Sequence, residues 1–340
     1  MSSFRVALDV MGGDNAPEVE LQGARKALRE DRIDLLLVGP EDRIRDELSD
    51  LPENSGSYEV LHASEYVRMD ENPVEAVRKK KDASLLVAAD AVEDGRADVL
   101  VSAGNTGAVM AATKIKWGVQ KKIDRPAIGT LLPVVKERGG HNILIDAGAN
   151  VDSTPLQLAQ FGLMGKVFSE TVLSKNNATV GLLNVGGEAR KGNNLTRDAY
   201  DLLKNQPYDF VGNIEGGEIV KGAADVIVCD GFVGNVALKV GEGVTETLFS
   251  FLRQKIKGTL RGKLGGWLLK PIFKSLKGLV DPSEYGGAPL LGLREGCIIA
   301  HGSSSPKAIK NALGKARLLV ENNCNQVIGE RIGTLNLPES

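Results

Sequence analysis

The sequence predicts an α/β protein with a mostly parallel sheet covered by helices, and two observations carry this prediction. Short β-type runs alternate with helix-length amphipathic segments along most of the 340 residues, which is the pattern of parallel strands joined by crossover helices. Several of the short runs, such as 35–38 and 226–229, are apolar throughout, as strands buried on both faces are. The length suits one large domain or two lobes that share a core.

The strands are expected, in chain order, at Arg5–Asp9, Asp34–Val38, Tyr58–His62, Asp98–Ala103, Ala127–Leu132, Asn142–Ala147, Thr179–Asn184, Phe210–Ile214, Asp225–Cys229 and Cys297–His301. Apolar spacing predicts helices at Glu18–Arg29, Ser84–Glu93, Pro155–Leu173, Thr196–Leu203 and Pro306–Val320. No Pro/Ser-rich linker or long repeat divides the chain, so we treat 1–340 as a single α/β domain or two lobes.

Composition excludes several classes of protein. The apolar fraction of 42% and the net charge of −2 are those of a globular protein rather than a disordered one. The longest stretch without a charge, Val99–Thr113, contains Ser, Asn, Thr and Gly, so no transmembrane helix is expected. The strand pattern begins at Phe4 and leaves no room for a signal peptide. Three scattered cysteines predict neither disulfides nor a metal cluster, which favours the cytoplasm.

One segment, Thr247–Val280, departs from the alternation because it contains eight basic residues and no acidic one. The rest of the chain is acidic, with 44 Asp and Glu against 34 Lys and Arg. An apolar residue at every fourth position cannot stay on one face of a straight helix. We therefore expect a basic amphipathic helical hairpin over 247–280, broken at Gly265-Gly266 and Pro271.

The second arm of this hairpin separates an apolar face from a basic face. Leu268, Leu269, Ile272, Phe273 and Leu276 form the apolar face, and Lys270, Lys274 and Lys277 lie opposite. Such an arm is suited to the surface of an anionic membrane. It is also compatible with a helix that packs on the protein's own core and exposes its basic side.

Six loops that follow predicted strands combine glycine with small polar residues. They lie at 9–14, 102–107, 146–150, 184–188, 230–235 and 301–306. The loops at the carboxyl ends of parallel strands line one crevice, and helix N-termini there offer N–H groups to anions. Glycine turns and helix caps alone also produce such loops, but six of similar composition favour an anion-binding crevice.

Several motifs of known enzyme classes are absent from the sequence, which limits the chemistry expected in that crevice. The segment 186–194 has the glycine spacing of a phosphate-binding P-loop, but Asn193-Asn194 stands where Lys-Ser/Thr is required. No dinucleotide fingerprint follows a strand, and the serine-hydrolase, zinc-protease and C-x-x-C motifs are absent. The basic run Arg78–Lys81 is either an exposed helix entry or a surface for an acidic partner or phosphate. With an isoelectric point near 6.1 and no binding module, nucleic acid is not an expected partner.

Taken in order, the loops resemble those of one enzyme family. The matching runs are 8–17 (LDVMGGDNAP), 101–108 (VSAGNTGA), 144–150 (LIDAGAN), 183–193 (LNVGGEARKGN), 212–216 (GNIEG), 229–235 (CDGFVGN), 285–289 (YGGAP) and 301–303 (HGS). This set is similar to that of the bacterial phosphate acyltransferases, the acyl-acyl-carrier-protein:phosphate transacylases, over nearly the whole chain. One departure is Asn15, where relatives often have histidine.

The resemblance implies a reaction, a fold and partners. An acyl group passes from the thioester of acyl carrier protein to inorganic phosphate, and the acyl phosphate enters phospholipid synthesis. The implied fold is a three-layer αβα sandwich like those of isopropylmalate dehydrogenase and phosphotransacetylase. The implied assembly is a homodimer with its active site near the subunit interface. The family uses no redox cofactor, and we expect no cofactor and no metal.

Within that resemblance, phosphate attacks the thioester directly, so the site supplies position and electrostatics. Lys191 is the leading candidate to hold phosphate, His301 to protonate the departing thiolate, and Asn105 to donate hydrogen bonds. His301 is equally compatible with a purely structural role at a strand end. Further candidates for binding phosphate or thioester are Gly104, Thr106, Gly107, Asn150, Asn184, Glu188, Asn193, Asn213, Asp230 and Asn235.

Other functions remain open at this point. A phosphotransacetylase acting on acyl-CoA shares the same chemistry, although the apolar hairpin favours long acyl chains. A decarboxylating dehydrogenase requires a nicotinamide site and a metal-binding Asp cluster, neither of which the sequence contains convincingly. A membrane scaffold without enzymatic activity explains the hairpin but not the six loops. The hairpin is expected to deliver acyl phosphate to a membrane acyltransferase from the inner face of the membrane, and acyl carrier protein to dock on Arg78–Lys81 or on the hairpin.

Overall fold

The computed structural model describes residues 4–135, 140–280 and 282–337, and these form one continuous sheet flanked by helices. The strands are β1 (Arg5–Asp9), β2 (Asp34–Gly39), β3 (Tyr58–His62), β4 (Val99–Ser102), β5 (Ala127–Pro133), β6 (His141–Ile145), β7 (Val180–Asn184), β8 (Phe210–Glu215), β9 (Val226–Val228), β10 (Ala288–Leu291) and β11 (Gly296–Ile299). The helices are α1 (Glu18–Lys26), α2 (Glu41–Glu47), α3 (Pro73–Lys79), α4 (Ser84–Glu93), α5 (Thr106–Lys116), α6 (Pro155–Thr171), α7 (Asn194–Lys204), α8 (Gly231–Lys257), α9 (Leu260–Leu268), α10 (Lys270–Val280), α11 (Pro306–Glu321) and α12 (Cys324–Arg331).

The sheet has the strand order β3-β2-β1-β4-β11-β10-β5-β6-β9-β7-β8. Strands β3, β2, β1, β4 and β11 are mutually parallel, and so are β6, β9, β7 and β8. Between these blocks, β10 is antiparallel to both β11 and β5, and β5 is antiparallel to β6. The mostly parallel sheet is confirmed, but its two parallel blocks run in opposite directions.

Each predicted strand is present, with ends that differ by no more than two residues, and β10 was missed. The segment 288–291 is only four residues long and contains Pro289, a residue that cannot donate a hydrogen bond to a neighbouring strand and argues against a central strand. Pro289 nevertheless lies opposite Ile298 of β11. The five predicted helices are confirmed. Helices α2, α3 and α12 gave no clear signal because they are short, and α5, with 11 residues, was not predicted either.

The core lies on both faces of the sheet, as the apolar runs predict. On one face α1, α6, α7, α11 and α12 cover a cluster that includes Leu8, Leu35, Phe161 and Phe168, all fully buried. On the other face α4 and α5 cover Leu36, Leu100 and Ile299. Alternate residues of one strand, such as Leu35 and Leu36, therefore enter opposite clusters, which explains why the strand has no polar face.

The basic segment forms helices, but its breaks differ from the prediction. Helix α8 already begins at Gly231, and the first break is at Gly258-Thr259 rather than at Gly265-Gly266, which lies inside α9. Glycines at 262 and 266 allow α9 to lie against α8, since a Cβ there would be 2.4 Å and 2.5 Å from atoms of Ile256. Pro271 is tolerated in the first turn of α10, where its missing N–H has no partner to lose.

Candidate functional site

The six glycine-containing loops do not meet in one crevice of a single chain. The loops after β1, β4 and β11 lie at one edge of the sheet, which we call the β1 edge (residues 10–14, 103–107 and 300–306). The loops after β6, β7 and β9 lie at the opposite edge, the β7 edge (146–150, 185–193 and 229–235), because the second block is reversed. The loop after β8 (216–217), which is not one of the six, lies at this edge as well. Within the sheet, β4 and β7 are also six strand spacings, or about 29 Å, apart.

The β1 edge is organised around the buried carboxylate of Asp9. It accepts hydrogen bonds from Ser84 Oγ at 2.7 Å, Ser102 Oγ at 2.8 Å and the backbone N–H of Met11 at 3.1 Å. Burial raises the pKa of Asp9, while these hydrogen bonds act in the opposite direction. A Cβ at Gly12 would lie 2.6 Å from the backbone nitrogen of Gly104, so glycine is required where the two loops touch. Asp9 therefore fixes the loops rather than facing a ligand.

Asn105 and His301 are positioned at this edge by local hydrogen bonds. Asn105 Oδ1 caps α5 by accepting from Ala108 N–H at 3.1 Å, and its Nδ2 donates to the backbone oxygen of Met69 at 2.9 Å. The Nδ1 atom of His301 lies 2.8 Å from Ser303 Oγ and 3.2 Å from the Ser303 nitrogen. These contacts hold the ring through Nδ1, so Nε2 is the nitrogen left to act on a ligand.

The remaining predicted residues of the β1 edge are close to this pair. Gly104 is buried, Thr106 is exposed at the first position of α5, and Gly107 is half-buried beside Pro73. The loop after β11 is tied to the loop after β1, since the N–H of Asp14 donates to the oxygen of Gly302 at 2.9 Å. The structure thus brings together Asn105, Thr106, Gly107 and His301.

Beneath the loop after β1 lies a buried carboxyl group, that of Glu20, which the sequence analysis missed. Glu20 on α1 is 1% exposed, and its Oε2 has no hydrogen-bond partner among the described residues. Burial, together with the nearby charges of Asp9 and Glu18, raises its pKa to about 7, although it accepts a hydrogen bond from the N–H of Gly13. In the sequence, Glu20 reads as one more acidic residue in the first turn of a helix.

The β7 edge contains a network of amides at the ends of β7 and β8. Asn184 Nδ2 donates to the backbone oxygen of Lys191 and to Asn213 Oδ1, both at 3.1 Å. Asn213 Nδ2 donates to the backbone oxygen of Glu188 at 2.8 Å. The two buried asparagines therefore hold the loop 185–193 by its backbone at Glu188 and at Lys191. The structure thus brings together four of the predicted site residues, Asn184, Glu188, Lys191 and Asn213.

This loop presents Lys191 to solvent. Lys191 Nζ lies 3.7 Å from Glu188 Oε1, and its side chain is 53% exposed. Gly192 has a φ of +94°, and a Cβ there would lie 2.4 Å from Asn184 Oδ1, so only glycine allows this turn. Asn193 then caps α7 by accepting from Thr196 N–H at 2.9 Å. The arrangement leaves a cation beside a capped helix N-terminus, a combination suited to an anion.

The loops after β6 and β9 complete this edge. Asp146 Oδ1 accepts from the N–H groups of Ile128, Gly148 and Ala149 at 3.0, 3.2 and 2.9 Å. Its Oδ2 accepts from the N–H and the Nδ2 of Asn150 at 2.6 and 2.9 Å. This carboxylate is thereby occupied in shaping the loop, as Asp9 is at the β1 edge.

Three further groups stand on the β9 side of the loop. Asp230 caps α8 by accepting from Val233 N–H at 2.9 Å, and Asn235 is exposed one turn further along. Burial raises the pKa of Cys229 well above its ordinary value, and the charges of Asp146 and Asp230 act in the same direction. The thiol donates to the backbone oxygen of Asp146 at 3.3 Å. A protonated thiol of this kind is a poor nucleophile.

A cavity of about 620 Å³ lies between the ends of β7 and β9 and the first turns of α7 and α8. Its floor consists of the buried side chains of Leu158, Leu182 and Cys229. Its rim is polar on the α7 side, with Asn193 and Thr196, and apolar on the α8 side, with Phe232. The volume is within the ordinary range of small-molecule sites.

A pair of cations that the sequence did not suggest, Lys114 and Arg125, lies on the Asn150 side of the β7 edge. Lys114 of α5 has its pKa lowered by partial burial and by the charge of Arg125. Asn150 Nδ2 donates to the backbone oxygen of Pro126, the residue after Arg125, at 2.8 Å. These cations are 11 residues apart in the chain, so only the fold brings them to the same edge.

Helices α9 and α10, which we call the amphipathic arms, and Leu269 between them expose large apolar side chains, namely Leu264, Trp267, Leu268, Leu269, Ile272 and Leu276. Trp267, with 70% exposure, was missed as a candidate. Phe273 is half-buried and Lys270 is exposed, whereas the side chains of Lys274 and Lys277 lie outside the described residues. Within the described part of the chain, no helix is both long enough and apolar enough to cross a bilayer.

The chain is similar to known proteins over nearly its whole length. A family model described as "Fatty acid synthesis protein" matches residues 4–327. A phosphate acyltransferase of Dictyoglomus turgidum is 46% identical over 333 residues, which cover 98% of each chain. A phosphate acyltransferase of Desulfitobacterium hafniense is 47% identical over 319 residues, or 94% of each chain.

Solved structures extend the comparison to the fold. A phosphotransacetylase from Streptococcus pyogenes superposes with a TM-score of 0.60 at 17% identity, covering 94% of each chain. A branched-chain phosphotransacylase from Enterococcus faecalis V583 gives 0.57 at 16% identity, covering 93% of this chain and 99% of the other. The expected phosphotransacetylase-like αβα sandwich is confirmed.

Proposed function

The chain belongs to the bacterial phosphate acyltransferase family, and on that premise we propose that it transfers a long-chain fatty acyl group from the thioester of acyl carrier protein to inorganic phosphate. The product, an acyl phosphate, serves phospholipid synthesis. Beyond family membership, one observation carries the proposal. At the β7 edge, Lys191 and the Asn184–Asn213 pair adjoin an apolar cavity, which suits a substrate with an anionic head and an apolar chain.

In the proposed reaction, phosphate attacks the thioester directly. An oxygen of hydrogenphosphate forms a bond to the thioester carbon, the carbon–sulfur bond breaks, and the proton of hydrogenphosphate ends on the departing thiol. The reaction is balanced without a base from the protein and without a covalent acyl-enzyme. The enzyme therefore contributes by holding phosphate against the carbonyl carbon and by stabilising the oxyanion.

Residues of the β7 edge are assigned to the phosphate. Lys191 supplies the positive charge, and the N-terminus of α7 behind Asn193 adds N–H groups directed at an anion. Asn184 and Asn213 keep this loop in place through their hydrogen bonds to its backbone. Asp230 and Glu188 repel phosphate, so they border the site and do not contact it.

The β1 edge is brought to the substrate by a second subunit. One chain cannot place Asn105 and His301 beside Lys191, because the two sets lie at opposite edges of its sheet. In a homodimer that joins the β1 edge of one subunit to the β7 edge of the other, both groups of residues can reach one substrate. In that arrangement Asn105 and Thr106 offer donors to the oxyanion, and His301 Nε2 takes the proton of hydrogenphosphate and passes it to the departing thiolate, so that the ring is unchanged at the end of the reaction.

The amphipathic arms are assigned to the membrane. Exposed Trp267 and Leu268 on α9 and Ile272 on α10 form an apolar surface of the kind that enters a headgroup layer, with basic residues beside it. The protein is then cytoplasmic and peripheral at the inner face of the membrane, where a membrane acyltransferase consumes acyl phosphate. Acyl carrier protein, being acidic, docks on the Arg78–Lys81 cluster or on the basic arms.

The alternative is a phosphotransacetylase that uses acyl-CoA, and the choice of donor tests it. Purified protein is mixed with phosphate and either a long-chain acyl carrier protein thioester or the matching acyl-CoA, and acyl phosphate is trapped with hydroxylamine. We expect phosphate-dependent product with the carrier protein donor, at least about tenfold faster than with CoA. Product from CoA alone favours the alternative, and no product from either donor contradicts both.

A further inference from the structure

The cavity at the β7 edge is asymmetric. Leu158 of α6 and Leu182 of β7 are 1% and 0% exposed at its floor, and Ile219 closes one side. The polar lining is confined to the ends of β7 and β9 and the start of α7, at Asn184, Asp230, Asn193 and Thr196. A ligand that fills this space needs an apolar body and a polar end.

The wall formed by α8 is apolar and open. Phe232 is 63% exposed and Val236 is 48% exposed, although both line the cavity. Large apolar groups left in water beside an apolar floor indicate a surface that another apolar group covers. The stripe continues along α8 through Val240 and Val244, which are 59% and 62% exposed, towards the amphipathic arms.

We propose that this cavity binds the acyl chain of the substrate, with the chain against Leu182, Phe232 and Val236 and the polar end at Asn184 and Asn193. The inference rests on the proposed function for the identity of the ligand. A hydrocarbon chain is favoured over a segment of another protein because the described floor residues offer a peptide backbone no free polar group. The Cys229 thiol already donates to the Asp146 oxygen, and the amide-bearing rim adjoins Lys191. Among the described residues that line the cavity, the one carboxylate, Asp230, accepts a hydrogen bond at the N-terminus of α8.

Binding of alkyl phosphates tests the proposal without any turnover. Decyl phosphate and butyl phosphate carry the same head, and calorimetry compares them below the micelle concentration. Each methylene buried in the cavity is expected to tighten binding by about fourfold, so the decyl compound should bind at least about a hundredfold more tightly. Equal affinities for the two compounds overturn the proposal.

The variant Ala237→Phe places a ring in the cavity from α8. It should weaken decyl phosphate binding by at least about tenfold, and Ala237→Leu should give a smaller loss. The matched control Lys239→Phe adds the same ring to an exposed position of α8 that does not line the cavity, and it should bind decyl phosphate as the unmodified protein does. If folded Ala237→Phe and Ala237→Leu both bind normally, the chain lies elsewhere.

This test separates the proposal from the function on which it rests. Selective loss of decyl binding in Ala237→Phe supports the cavity even if acyl transfer to phosphate is never observed. Conversely, acyl transfer with no effect of chain length or of Ala237→Phe on binding leaves the function in place and overturns the assignment of the cavity. Loss of binding in both Ala237→Phe and Lys239→Phe also contradicts it, because the effect would then not come from the cavity.

Discussion

Glu20 makes the stability of this protein depend on pH in a predictable way. Its carboxyl group is buried, and its pKa rises from 4.5 to about 7 on folding. The folded protein therefore retains a proton that the unfolded chain releases between these values, and stability is lost as the pH rises through 7. By linkage the loss is less than about 1 kcal/mol at pH 5 and about 3 kcal/mol at pH 8.

The variant Glu20→Gln removes this dependence, since glutamine resembles the neutral carboxyl in shape and can still accept from the Gly13 N–H. We expect its free energy of unfolding to exceed that of the unmodified protein by about 3 kcal/mol at pH 8 and by less than about 1 kcal/mol at pH 5. Guanidinium unfolding followed by circular dichroism at both values measures the difference.

Glu18→Gln is the matched control on the same helix. Glu18 is 57% exposed and pairs with Arg43 at the surface, so its replacement should change stability by no more than about 0.5 kcal/mol at either pH. A gain from Glu20→Gln that is absent at pH 8, or that is the same at pH 5 and pH 8, would refute the reasoning.

Three further predictions concern activity and membrane binding. Lys191→Ala should lower the rate of acyl phosphate formation by about 100-fold or more without changing the melting temperature, whereas near-normal turnover would remove Lys191 from the site. His301→Asn should lower kcat by about 100-fold and alter the pH–rate profile; an unchanged profile excludes proton transfer by His301. Replacing Leu268 and Phe273 with Glu should abolish sedimentation with anionic vesicles, and binding that persists assigns α9 and α10 another role.

Much of the fold could be predicted because the strands that are buried on both faces are apolar at every position. Apolar runs such as Leu35–Val38 identify strands that are covered on both faces, and the structure places their alternate side chains in two separate clusters. The reversal between the two blocks could not be predicted. It depends on β5 and β10, and Pro289 makes β10 look unlike a strand.

The break in the basic hairpin, over residues 247–280, could not be placed from the sequence either. Gly265 and Gly266 look like a break, yet Gly266 lies within α9 and, with Gly262, allows close packing against Ile256. Local sequence gives the presence of glycine but not whether it serves a turn or a contact. Such a distinction depends on which helix lies opposite.

The sequence nominates candidate site residues, but it does not show which of them lie together in one chain. The glycine and asparagine motifs make Asn184, Lys191 and Asn105 candidates without any structure. Glu20 leaves no comparable signal, because its burial results from the fold. The separation of Asn105 from Lys191 also results from strand direction, and it is what makes a second subunit part of the proposed mechanism.

The most direct test of the account is whether phosphate itself breaks the thioester. The protein is mixed with a long-chain acyl carrier protein thioester in the absence of phosphate, and free thiol and intact protein mass are followed before and after phosphate is added. We predict no thiol and no increase in protein mass until phosphate is present, and then thiol and acyl phosphate in equal amounts. A stoichiometric release of thiol before phosphate, with the protein heavier by one acyl group, would contradict direct attack.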